Sequence, residues 1–107
     1  MKTDLTITLL NKRRQLKFGY GALRLLGIKW DCNSIQKVGE QIQKSFANIE
    51  ELDFDTNDKI VDIVVAALEN ARVDTSEINR DDLLDELLFK DQQKMQTIMT
   101  AFVESMP

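Results

Sequence analysis

Acidic and amide side chains alternate along Asp53-Phe54-Asp55-Thr56-Asn57, the order in which an EF-hand calcium loop begins. Such a loop also needs glycine at its sixth position, for a sharp turn, and glutamate at its twelfth, to clamp the ion through both oxygens. Here those positions hold Asp58 and Val64. The segment is therefore expected to be a solvated link that caps a helix, and no metal site is assigned. Nucleophilic chemistry is no better provided. The chain has no histidine, which removes the commonest general base and the commonest neutral metal ligand. Cys32 is the single cysteine; no second thiol or imidazole is present to activate it, and it reads as small core filler. Gly19-Tyr20-Gly21 lacks the further glycine and the lysine of a phosphate-binding loop and reads as a turn. The many carboxylates could supply an acid–base pair, but linear order singles out no two of them. The expectation is a non-enzymatic protein with no catalytic residue, cofactor or metal.

Residues suited to binding are easier to find. Lys12-Arg13-Arg14 and Lys17, with Phe18 and Tyr20 nearby, are of the types that touch phosphates and stacked bases. The run is short and the net charge is −4, so a small nucleic-acid-binding regulator is the alternative reading, not the main one. Met95, Met99, Phe102 and Met106 form an adaptable apolar stripe of the kind that receives a partner helix. Ordinary core packing produces the same spacing. Charge is also divided along the chain. Residues 1–29 carry seven basic side chains against one acidic, and the remainder carries seven against seventeen. Such polarity steers head-to-tail association or recruits an acidic partner; packing of the basic end on the chain's own acidic helices uses it equally well.

Periodicity places these residues on elements. Leu5-Thr6-Ile7-Thr8-Leu9 alternates apolar and polar, as a half-buried strand does. A basic turn, Asn11-Lys12-Arg13-Arg14, is expected next, then a second strand through Leu16 and Phe18. An isolated hairpin is marginal and must lie on the helices or on another subunit's sheet; its open edge also invites pairing with a second copy. Ala22-Leu23-Arg24-Leu25-Leu26 reads as a short helix closed by Gly27, with Trp30 in the following link. Ile35, Val38, Ile42, Phe46, Ile49 and Leu52 mark one face of a helix over residues 34–52, capped by Asn33 or Ser34. Gly39 inside it leaves room for a close helix contact. Thr56 or Asn57 is expected to cap the next helix, with Asp58 favouring its positive end. Residues 60–68 are then almost wholly apolar, which suits a central helix; the β-branched content suits a strand, but Asp62 and the alanines favour helix. Thr75 to Asn79 caps a segment whose Leu83, Leu84, Leu87 and Leu88 share a stripe. The last helix carries Met95, Ile98, Met99, Phe102, Val103 and Met106.

A length of 107 residues suits one domain with one modest core. The expected organisation is a mainly α protein: a hairpin over about residues 4–18 and a bundle of four to five helices over about residues 20–106. No apolar run approaches the roughly 18 residues a membrane span needs. The first four residues lack the apolar core of a signal peptide, and a lone cysteine suits a reducing cytoplasm.

The order of these elements resembles the tail assembly chaperones of long-tailed bacteriophages. The resemblance is carried by Leu16-Lys17-Phe18-Gly19-Tyr20-Gly21-Ala22-Leu23-Arg24-Leu25-Leu26, set after a short β segment. It continues through a middle helix of small and apolar residues, 60–71. Thr75-Ser76-Glu77-Ile78 with Asp81-Asp82-Leu83-Leu84-Asp85-Glu86 follows, and then a final amphipathic helix ending in Phe102-Val103-Glu104-Ser105-Met106-Pro107. Many relatives carry glycine-leucine in the middle helix where this chain has Ala67-Leu68. The resemblance implies a protein that binds the tape-measure protein, or another tail component, in the host cytoplasm. It would keep that partner soluble while the tail tube polymerises. Phe18, Tyr20 and Trp30, together with Met95, Met99, Phe102 and Met106, are the surfaces it points to.

Overall fold

The computed structural model describes residues 4–47, 51 and 53–106. The chain begins with an antiparallel hairpin, β1 (Asp4–Leu9) and β2 (Lys12–Lys17), joined by Leu10 and Asn11. Both turn residues take positive φ, 51° and 70°, as a two-residue type I′ turn requires. The expected basic turn is thereby corrected: Lys12, Arg13 and Arg14 are strand residues. The register pairs Leu5 with Leu16 and Ile7 with Arg14. Leu9 and Leu16 are buried on that face, while Thr6, Arg13, Gln15 and Lys17 on the other are exposed.

Five α-helices follow. The first, α1 (Tyr20–Lys29), starts at Gly19, whose φ of 105° and ψ of −157° only glycine adopts comfortably. Gly27 was expected to close this helix but lies inside it. The Cys32 backbone N–H donates to the Gly27 carbonyl at 2.8 Å, and a Cβ on Gly27 would stand 2.8 Å from the Cys32 carbonyl oxygen. Gly27 thus serves a close backbone approach. Next, α2 (Ile35–Phe46) is capped by Ser34, whose hydroxyl accepts from the Lys37 N–H. It ends earlier than the periodicity suggests; Ile49 and Leu52 lie outside the described residues.

The cap of α3 (Phe54–Asn70) is Asp53, not Thr56 or Asn57. Asp53 accepts from the Thr56 N–H at 2.7 Å. The Thr56 hydroxyl instead donates to the Ser45 carbonyl at 2.7 Å, tying α3 to the end of α2. The stretch that begins like a calcium loop is therefore a helix start. From Ile60 to Leu68 every side chain of α3 except Asp62 is buried, so this helix is the axis of the bundle. After it, α4 (Arg80–Leu84) is capped by Asn79 and runs into a π-helical segment, Asp85–Lys90. Leu83 and Leu87 join the core, Leu84 packs half-buried against it, and Leu88 is buried. Finally, α5 (Gln92–Glu104) starts at Asp91, which accepts from the Lys94 N–H. The hairpin and all the helical segments contribute to one apolar core. The fold is a small mainly α bundle with an N-terminal β-hairpin.

Candidate partner-binding groove

The residues singled out for binding end in different places. Phe18 and Phe102 are both interior, 2% and 1% exposed, with ring centroids 5.9 Å apart at 58°. They join the hairpin exit to α5 and present no surface. Met95, Met99 and Met106 are half-buried and pack against the same core. Met106 lies beside Gly39 of α2, where a Cβ would be 3.7 Å from its methyl. The methionine stripe thus faces inward in the folded chain.

Trp30 is held in a polar relay. Its indole Nε1–H donates to Asp62 Oδ2 at 2.8 Å, and Lys59 Nζ sits 5.8 Å from the ring centroid. Asp62 Oδ1 is 3.0 Å from the Arg80 guanidinium. This cluster locks the end of α1 to α3 and α4, and it explains the single polar side chain in the apolar run of α3. The relevant sequence signal is Asp62 itself, since a half-buried carboxylate needs a donor.

Tyr20 alone among the expected residues stands clear of the protein, at 68% exposure. Helix periodicity adds two neighbours: Arg24 and Ile28 follow at four and eight residues, both exposed. Ile28, at 71% exposure, was missed because it stands outside the buried row of Ala22, Leu23 and Leu26. Beside this ridge, between α1 and the start of α2, runs a groove of about 280 Å³. Leu23, Gly27 and Val38 form its buried floor; Cys32 and Ile35 are half-buried along it. Tyr20 and Ile28 rise at its lip. Such a groove can take an apolar side chain presented by a helical partner. A second cleft along α1 gathers Lys17, Arg24 and Arg72 around Leu25 together with the Glu69 carboxylate, and Lys29 lies 3.8 Å from Glu69.

The basic residues of the hairpin divide between the chain's own carboxylates and solvent. Arg14 is 7% exposed and donates through Nε to the Leu9 carbonyl at 2.9 Å. Lys12 meets Glu77 at 2.9 Å, and Arg14 Nη1 is 3.7 Å from the same carboxylate. The hydrogen bond and charge of Lys12 hold the Glu77 carboxyl below the usual range. Glu86 accepts from the Leu10 backbone N–H and from Lys94. Part of the charge division along the sequence is thereby spent inside the fold; Arg13 and Lys17 remain outward. Among the described residues, no helix is long and apolar enough to cross a membrane.

Comparison with protein-family models, with curated proteins and with solved structures finds no match to this chain.

Proposed function

We propose that the chain is a non-enzymatic tail assembly chaperone of a long-tailed phage, holding a tape-measure protein in soluble form in the host cytoplasm. The observation that carries this reading is the ridge of Tyr20 and Ile28 over an apolar groove in α1, within and next to the segment that bears the resemblance. Large exposed apolar side chains beside a concave apolar floor are the equipment of a protein that covers another's hydrophobic surface. A tape-measure protein is long and helical, so it offers repeated apolar side chains at helical spacing. The cations Lys17, Arg24 and Arg72 around α1 would favour a partner segment carrying carboxylates. In this reading α1 supplies the docking surface and the methionine stripe supports the core beneath.

The alternative, a nucleic-acid-binding regulator, has less behind it. Arg14 is buried and Lys12 is paired with Glu77, which leaves Arg13 and Lys17 of the basic run for phosphate contact. Co-expression with the tape-measure protein of the same genome separates the readings. A partner that is insoluble alone but soluble and co-purified with this chain supports the chaperone. Absence of both effects, with salt-dependent retardation of DNA or RNA, replaces it with the regulator.

A further inference from the structure

β1 contains Leu5-Thr6-Ile7-Thr8-Leu9, a pentapeptide that reads identically in both directions. The two-residue turn at Leu10 and Asn11 makes Leu9 and Lys12 the first hydrogen-bonded pair of the hairpin. Alternation along an antiparallel ladder then makes Ile7–Arg14 and Leu5–Leu16 the next such pairs. The peptide groups of Thr6 and Thr8 consequently point away from β2. On that side the sheet ends: among the described residues no strand lies beyond β1. An open cleft of about 390 Å³ separates Asp4 and Leu5 from α5.

The two edges of this sheet are unequal. β2 carries Lys12, Arg13, Arg14 and Lys17, and charged side chains are the usual guard against edge pairing. β1 has no lysine and no proline, and its register with β2 has no bulge. Between Leu5 and Leu9 it has no charge at all. We propose that a second copy of this chain pairs with β1, antiparallel, about a twofold axis through Ile7.

This register satisfies the ladder and both faces together. Thr6 lies opposite the partner's Thr8, and the two exchange both backbone hydrogen bonds; symmetry repeats the exchange, giving four. Ile7 lies opposite the partner's Ile7, and Leu5 opposite the partner's Leu9, so the apolar row of the core-facing side, half-buried at Leu5 and Ile7 and buried at Leu9, continues across the seam. On the solvent face threonine meets threonine, a favourable cross-strand pair. No charge faces a like charge across the ladder, whereas pairing of two β2 edges would oppose cations. The product is a four-stranded sheet with a closed, isologous interface that stops at the dimer. The proposal is independent of the chaperone reading, since it uses β1 and leaves the α1 groove open.

Sedimentation equilibrium of the full chain over a concentration series tests it. The wild type is expected to dimerise. Thr6→Pro removes an N–H that the hairpin itself does not use. It should keep the far-UV dichroism of the wild type while raising the dissociation constant by about tenfold or more, because two of the four seam bonds are lost. A second test does not depend on how proline is tolerated. The double variants Thr6→Lys with Thr8→Lys, and Thr6→Glu with Thr8→Glu, put like charges opposite each other across the seam. Each should be monomeric alone, and an equimolar mixture should recover a heterodimer. A wild type that is monomeric throughout overturns the proposal. So does a folded Thr6→Pro protein that dimerises undiminished, or charge variants that fail to pair on mixing.

Discussion

Met95, Ile98, Met99 and Phe102 of α5, with Met106 just beyond it, recur at helical spacing, and the fold packs this row against the core, Phe102 on Phe18 of the hairpin exit and Met106 beside Gly39 of α2. On α1, Tyr20 and Ile28 stand outside the buried row of Leu23 and Leu26, at the lip of the groove, and stay in solvent. Both rows are apolar and both suit a helical partner. The difference lies in what else each helix has to offer the core. The core takes the apolar row of α5 except Val103, which was expected to belong with it but is 63% exposed. α1 has a complete buried face of Ala22, Leu23, Leu26 and Gly27 without Tyr20 and Ile28, so those two are surplus to folding. Apolar residues beyond what a helix needs for its own burial are the better indicator of a binding surface.

This contrast can be broken most forcefully at Phe102. Replacing it with alanine removes the ring that packs on Phe18 and should cost about 3–5 kcal/mol in urea or thermal unfolding; a loss below about 1 kcal/mol would mean that α5 is not the core helix described. Gly19→Ala tests how α1 is launched. Its backbone conformation is one that alanine resists, and the loss should be about 1–3 kcal/mol. Gly39→Ala works in the opposite direction. The added methyl meets Met106 at ordinary contact distance, so the gain in helix propensity should stabilise the protein by about 0.5–1 kcal/mol; destabilisation would show that Met106 packs tighter on α2 than the geometry gives.

Tyr20→Ser combined with Ile28→Ser should change unfolding by no more than about 0.5 kcal/mol while abolishing co-purification of the partner. Equal loss of stability and binding would return Tyr20 and Ile28 to the core and erase the distinction between the helices. The smallest effect expected is on acid sensitivity. Asp53 is held below its ordinary value by the Thr56 backbone N–H, and Glu77 by Lys12. A depressed carboxylate contributes stability above its unfolded value and loses it as pH falls through the folded one. Both groups are solvent-exposed, so the slope of stability against pH below about pH 4 should flatten only slightly in Asp53→Asn.

Much of the fold was legible in the residues. The alternation in residues 5–9, the near-continuous apolar run of residues 60–68 and the capping side chains Ser34 and Asn79 each name their element through local physics. The discrepancies occur where a local rule has two solutions. Leu10 and Asn11 took the turn from the basic run because twisted strands favour a two-residue connection with positive φ at both positions. Asp53 took the cap from Thr56 because the Thr56 hydroxyl had a partner across space, the Ser45 carbonyl. Gly27 reads as a helix end from sequence, yet its missing Cβ makes room for the Cys32 backbone within the same local unit.

The candidate site was legible in one residue, Tyr20. Its groove was not, because Cys32, Ile35 and Val38 come from beyond α1 and meet Leu23 and Gly27 only after the chain turns back. The sequence by itself determined a mainly α bundle with a β-hairpin, an α3 that must be central, and a β1 strand whose palindrome is independent of any partner. These follow from periodicity and hydrogen-bonding capacity, which act over a few residues. Tertiary structure alone decided which apolar rows are interior, which cations are spent on Glu77, and where Trp30 finds Asp62. Those outcomes depend on competition for a limited buried volume, and residues far apart in the chain settle that competition only when they pack together.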